Sequence, residues 1–116
     1  MTALIRTGKF FNDKHPDKNR GWVIGDYVED PAFKSDNVQV KYQHQSAGTF
    51  RPAKDIPDTE TNTLAILIHG SCRAKFIEQD QEIHMSSPGD YIRWTPDMPH
   101  EFEYFQDTLI ITVRWK

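Results

Sequence analysis

Three observations predict an all-β domain, a sandwich or barrel of short strands. Brief runs of β-branched and aromatic residues recur between turn clusters along most of the chain. No segment carries a helical period. Two of the runs alternate apolar with polar residues, the mark of a half-buried strand.

Taken in order, residues 21–28 form a first strand, with Trp22, Ile24 and Tyr27 available to a core. Residues 37–45 alternate, placing Val38, Val40, Tyr42 and His44 on one face and Gln39, Lys41 and Gln43 on the other. The apolar face is expected to look inward. Residues 48–62 hold Pro52 and Pro57 among polar neighbours and read as a long loop. Residues 64–69 are apolar on both faces and therefore central. Gly70 and Ser71 turn the chain into 72–77, a polar turn at 78–81 leads to 82–85, and Pro88-Gly89-Asp90 leads to 90–95. In 100–105, His100, Phe102 and Tyr104 share the inward face, with Glu101 and Glu103 opposite. The last run, 108–115, sets Leu109, Ile111, Val113 and Trp115 on one side. With no helix to cover a sheet, a chain this small buries such strands only by folding the sheet against itself. The expected organisation is an N-terminal arm over residues 1–20 and a barrel over 21–116.

A length of 116 residues allows one domain with one core. The net charge of −3, with basic residues scattered among acids, argues against nucleic acid as a partner, because phosphate binding needs a basic face. The longest apolar stretch, 64–68, is far short of the roughly 20 residues that span a bilayer, so no membrane role is expected. Residues 1–11 hold no apolar run of secretory length, and the single Cys72 forms no internal disulfide. A cytoplasmic location is the expectation.

The stretch from Pro88 to His100 carries Gly89-Asp90 at a turn, Pro96 and Pro99 at a corner, and His100 directly after the second proline. In this it resembles the second sequence motif of the cupins. Residues 64–70, an apolar strand closed by Gly70, are similar to the end of the first cupin motif. The resemblance covers about residues 38–115 and implies a double-stranded β-helix, the jelly roll, with His100 pointing into the barrel. It also exposes departures. The family's first motif supplies a His-x-His pair and a Glu, which join the second-motif His around a divalent metal. Counted back from Gly70, the Glu position falls on Thr63 and the His pair falls within 56–59, which holds no histidine. Asp97 stands where the motif usually has Gly.

Five histidines are present: His15, His44, His69, His84 and His100. By strand parity His44 and His100 both look into the barrel, as a pocket pair or as two core histidines each hydrogen-bonded to a neighbour. His15, His69 and His84 are expected at the surface. Asp55, Asp58 and Glu60 make an acidic loop near the missing ligand positions and read as solvated. Tyr42, His44, Trp94, His100, Phe102 and Tyr104 are the candidate ligand-binding residues; Tyr42 and Tyr104 would place hydroxyls beside the histidines. Arg93, by parity with Trp94, faces outward. There is no phosphate-cradling Gly-rich loop and no nucleophile elbow. The expected function is binding of a small molecule in the barrel pocket, with no typical metal centre and no other cofactor. The alternative is a small enzyme. That enzyme would be an isomerase or epimerase with His44 or His100 as base and a tyrosine as acid, or a metal-dependent oxygenase with rearranged ligands. A homodimer is expected, because a jelly roll this short leaves strand edges to be paired or covered.

Overall fold

The structure, a computed structural model, describes residues 3, 5–7, 22–54 and 58–116. Most of the expected N-terminal arm, including His15, and Asp55 of the acidic loop lie outside the described residues. Nine strands run through the described chain, and it contains no helix: β1 (Trp22–Ile24), β2 (Val38–Gln45), β3 (Phe50–Arg51), β4 (Asn62–His69), β5 (Cys72–Phe76), β6 (Gln81–Met85), β7 (Tyr91–Trp94), β8 (His100–Tyr104) and β9 (Thr108–Trp115). Eight coincide with the expected runs. The ninth, β3, is two residues long and lies inside the segment expected to be a loop, where it pairs with β8.

The strands make a five-stranded sheet, β1-β2-β9-β4-β7, and a four-stranded sheet, β3-β8-β5-β6, with every pairing antiparallel. The chain crosses between the sheets at β2–β3, β3–β4, β4–β5, β6–β7, β7–β8 and β8–β9, so the two sheets face each other as a jelly roll. Ala65, Leu67, Ile92 and Ile110 from one sheet meet Cys72, Ala74, Phe76, Met85, Phe102 and Tyr104 from the other in a single buried cluster. Small residues at 65, 72 and 74 let the sheets approach, and the large ones beside them fill the space.

On β8 the alternation points as expected. Phe102 and Tyr104 are buried inside, whereas Glu101 and Glu103 lie outside against Arg73, at 3.6 and 3.0 Å. On β2 it points the other way. Lys41 and Gln43 face the barrel interior, and His44 is exposed. Tyr42 stands in register with Ile111, and Val40 with Val113, which in turn faces Leu64 across β9. The apolar alternation of β2 and β9 is therefore spent on cross-strand pairs over the outer face of the five-stranded sheet. Side chains of period 2 must all change face together, so the same register that puts these pairs outside puts Lys41, Thr112 and Arg114 inside.

The turn after β4 depends on Gly70. Its φ is +108°, and a Cβ there would lie 2.6 Å from Thr108 Cα and 2.7 Å from the Asp107 carbonyl oxygen. Both neighbours are backbone at the start of β9 and have no room to move. Gly70→Ala is expected to lower stability by about 2 kcal/mol or more. Urea unfolding checks this, and an unchanged midpoint would contradict it.

Candidate functional site

The inner face of the five-stranded sheet changes character along its length. Leu67 pairs with Ile110 in the core; the next inward pair is Ala65 with Thr112, and the next Thr63 with Arg114. Across β9, Gln43 stands beside Ile110 and Lys41 beside Thr112. One end of the barrel is thus packed with apolar side chains, and the other is polar and then cationic. That end holds a cavity of about 140 Å³, whose walls include Lys41, Gln43, Thr63, Trp94, His100 and Arg114. Arg51, Lys54, Asp58 and Thr61 also line it.

Trp22 of β1 is 4% exposed and organises two of the cations. Lys41 Nζ lies 4.8 Å and Arg114 Cζ 5.3 Å from its ring centroid, so the electron-rich face offsets part of the cost of holding the charges there. Burial pushes the Lys41 ammonium down to about 8, and the nearby Arg114, Arg51 and Lys54 push it the same way. Burial likewise lowers the Arg114 guanidinium from its ordinary value, against the attraction of Asp58. A guanidinium stays charged regardless. Its Nε is buried and has no hydrogen-bond partner among the described residues.

Asp58 is the carboxylate on this wall among the described residues. Desolvation pushes its carboxyl up, but hydrogen bonds from the Thr61 hydroxyl and from the backbone N–H groups of Glu60 and Thr61 together hold it below the usual value. The corner before β8 is tied to the same loop: Asp97 N–H donates to the Asp58 carbonyl at 2.8 Å. Asp97 has φ +64°, so the residue that replaces the motif's glycine still adopts glycine's left-handed backbone.

His100 stands opposite the cations. Its Nδ1 lies 2.8 Å from the Met98 carbonyl oxygen, which only accepts, so Nδ1 carries the hydrogen. Burial lowers its pKa; the bond to Met98 pulls upward, and Arg114 and Lys54 add to the lowering. The ring is therefore neutral at pH 7, and its Nε2 keeps a lone pair. Trp94 at 4.8 Å, Phe76 at 5.6 Å and Phe102 at 5.7 Å, ring centroid to centroid, hold it in place. Burial raises the Tyr104 phenol to about 12 and the Cys72 thiol to about 11, so both stay protonated.

These residues do not fit the divalent metal that the resemblance implies. Among the described residues no three His, Cys, Asp or Glu side chains gather at one point. Thr63 occupies the Glu position, the Asp58 oxygens are engaged within their own loop, and the wall is lined by cations that repel a metal ion.

Of the six expected binding residues, the fold brings Trp94, His100, Phe102 and Tyr104 together on the cavity wall. Tyr42 and His44 are not there. They belong to the outer set of β2, so the shared histidine pocket does not form, and Gln43, expected in solvent, takes the inward place. His69 and His84 are exposed, as expected, and His84 stacks on Phe105 at 6.4 Å. Arg93 is exposed, with its guanidinium over the Tyr91 ring. Sequence reasoning missed Lys41, Arg51, Lys54 and Arg114. One signal was present: Thr63 takes a position that faces the centre in the resemblance, marking a polar inner wall at that level.

Lys41 supplies a test with a fixed sign. An unfolded lysine holds its proton to about 10.5 and the folded one to about 8, so folding releases a proton between those values and stability from this group rises with pH there. Lys41→Met removes that titration, while Cys72 and Tyr104 titrate in both proteins and cancel in the comparison. The stability of the variant relative to wild type is expected to fall by roughly 2–3 kcal/mol between pH 8 and 10.5. Urea unfolding across that range measures it; a pH-independent difference would contradict it.

No family model matches the chain, and no curated protein matches it in sequence. Solved structures do match in shape. A cupin superfamily protein from Desulfitobacterium hafniense DCB-2 superposes with a TM-score of 0.61 at 18% identity, covering 70% of this chain and 69% of that one. KdgF from Halomonas sp. gives 0.61 at 12% identity, over 70% of each chain. The DMSP lyase DddQ from Ruegeria pomeroyi DSS-3 gives 0.62 at 15% identity, over 72% of this chain and 41% of the lyase. Identities this low speak to fold alone. Two antiparallel sheets rolled face to face, a glycine-closed β4, the proline corner before His100 and these likenesses agree: the chain has the cupin fold.

Proposed function

We propose that this chain is a metal-independent binding protein that takes a small polar molecule into the open half of its barrel. The observation that carries the reading is the change of the inner wall from packed core to polar groups around a cavity of about 140 Å³. Such a volume suits a ligand about the size of a benzene ring. An interior needed only for stability would be filled with apolar side chains. Here Gln43, Thr63 and Thr112 offer hydrogen bonds, His100 Nε2 offers a fixed acceptor, and Trp94 with Phe102 offers an apolar wall.

A second reading, an enzyme of isomerase or epimerase type, is favoured by His100 alone. A neutral imidazole with a locked tautomer, whose Nε2 has no hydrogen-bond partner among the described residues, is a general base in waiting. His44 has no part in it, and the Tyr104 phenol, at about 12, is a weak acid partner. Proteins of similar fold include KdgF, a DMSP lyase and a salicylate 1,2-dioxygenase as well as one of unknown function, so the fold by itself does not choose between enzyme and binding roles. An oxygenase with rearranged ligands is disfavoured by the cationic wall. No helix of the described residues is long and apolar enough to cross a membrane. A cytoplasmic location and a homodimer belong to the same proposal. The dimer rests on β1, β7, β3 and β6, which end the two sheets without a further partner among the described strands. Light scattering at micromolar concentration giving a monomer mass would contradict the dimer.

The binding role is tested by ligand-observed NMR on protein dialysed against EDTA, with a panel of sugars, amino acids and hydroxy- and oxo-acids. At least one compound is expected to bind saturably, and His100→Ala to weaken it tenfold or more. No saturable ligand, or one indifferent to His100→Ala, would overturn the proposal.

A further inference from the structure

The wall of the cavity carries more positive charge than anything described around it balances. Lys41, Arg51, Lys54 and Arg114 line it, with Asp58 the carboxylate among the lining residues. None of the four cations makes an ion pair among the described residues. Asp58 is poorly placed to neutralise them, since Oδ1 accepts from the N–H groups of Glu60 and Thr61, at 2.9 and 3.2 Å, and Oδ2 from the Thr61 hydroxyl. Arg114 Nε is buried with no hydrogen-bond partner among the described residues. A guanidinium presents its donors in a planar fork that matches two oxygens of a carboxylate or phosphate.

Acids are not scarce in this chain, which has 17 Asp and Glu for 14 Lys and Arg. On the outer face of the four-stranded sheet, Arg73 alone is surrounded by Glu82 at 3.2 Å, Glu101 at 3.6 Å and Glu103 at 3.0 Å. The described residues thus surround an exterior arginine with three carboxylates, yet set Asp58 alone beside four cations, of which Lys41 and Arg114 are half-buried and Arg51 and Lys54 exposed. A buried cation without a counter-charge is a lasting cost to the fold, and an anion entering from solution would relieve it.

Resting on the reading of the cavity as a ligand pocket, we infer that its ligand is a small organic anion. Its carboxylate or phosphate group lies between Lys41 and Arg114, with Arg51 and Lys54 adding attraction, and its remaining atoms lie against Trp94, His100 and Phe102. Thr63, in register with Arg114, and Thr112, in register with Lys41, supply hydroxyls beside the same oxygens. The cations that exclude a divalent metal from this wall also select the ligand, and attraction through a partly enclosed mouth speeds its entry at low salt.

The test is calorimetric titration of the full chain at pH 7 and low salt with benzoate and inorganic phosphate, and with their neutral counterparts benzamide and glucose. At least one of the two anions is expected to bind at least tenfold tighter than its neutral counterpart. That affinity should weaken severalfold at 0.3 M NaCl and tenfold or more in Lys41→Gln and in Arg114→Gln, while Lys75→Gln, on the outer face, leaves it unchanged. Benzoate alone identifies a carboxylate on an aromatic body, and phosphate alone a phosphate group. If Arg114→Gln fails to fold, the inference stands or falls on Lys41→Gln, with the melting temperature raised by anion in wild type and not in the variant. Benzamide or glucose binding as tightly as the anions would overturn the anion assignment and leave the pocket standing. Anion binding indifferent to both pocket variants would overturn the assignment too. Failure of both anions to bind would overturn the anion assignment, while the pocket itself stands or falls on the wider panel.

Discussion

Arg114 is the last inward-facing position of β9, and its charge sets the terms for everything around the cavity. A guanidinium inside a barrel loses the solvation of water and needs aromatic faces, carboxylates or a ligand in return. Here Trp22 gives it one aromatic face and Asp58 a single negative charge nearby. Lys41, one strand away, shares that same ring and feels Arg114 as a repulsive neighbour, which is part of why its ammonium is pushed down to about 8. The barrel tolerates this at one end because the other end is fully packed: Leu67, Cys72, Ala74 and Ile110 are at most 1% exposed. Core and cavity are successive levels of the same strands, so the packing that stabilises the fold also fixes the spacing of the charged wall.

His100 joins the two halves. Its ring packs on Phe76, which belongs to the core, and its Nδ1 is held by the Met98 carbonyl at the proline corner. That corner is in turn bonded to the Asp58 loop through Asp97 N–H. The imidazole, the carboxylate and the left-handed turn therefore form one connected piece of backbone. This gives a single neutral acceptor opposite a set of cations, an arrangement suited to orienting an asymmetric ligand with a negative end and a hydrogen-bond donor.

Most of the fold was legible because it depends on local signals. Turn chemistry at Gly70 and at Pro88-Gly89-Asp90, and the period-2 runs between, located eight of the nine strands; β3, at two residues, is too short to carry a period. On β8 the motif placed His100, and parity then placed Phe102 and Tyr104. The same parity failed on β2, because alternation reveals that a strand has two unlike faces without revealing which one the barrel encloses. The usual assumption, apolar inside, holds where the interior is core. It reverses for Lys41 and Gln43 because β2 passes the open end, where the inward positions are polar and the apolar set pairs over the outer face instead. His44 was assigned inward with that set and left with it. Arg114 was hidden for the same reason: it lies between Val113 and Trp115, and only the pairing of β9 with β4 and β2 shows that it turns toward Thr63 and Trp22. Register between strands far apart in sequence is a property of the assembled sheet.

Positive charge that the described residues leave uncompensated at the open end of the barrel governs the site, and the ε-amine of Lys41 reports its own burial first and then the cations beside it. Carbon-13 NMR of the Lys41 side chain, followed from pH 6 to 11 in ligand-free protein, gives its titration midpoint. A midpoint near 8, rising toward the ordinary lysine value once Arg114 is replaced by Gln, is the expected result. A midpoint at about 10.5 in the wild-type protein would mean that Lys41 is solvated or paired, and would contradict a wall of uncompensated cations.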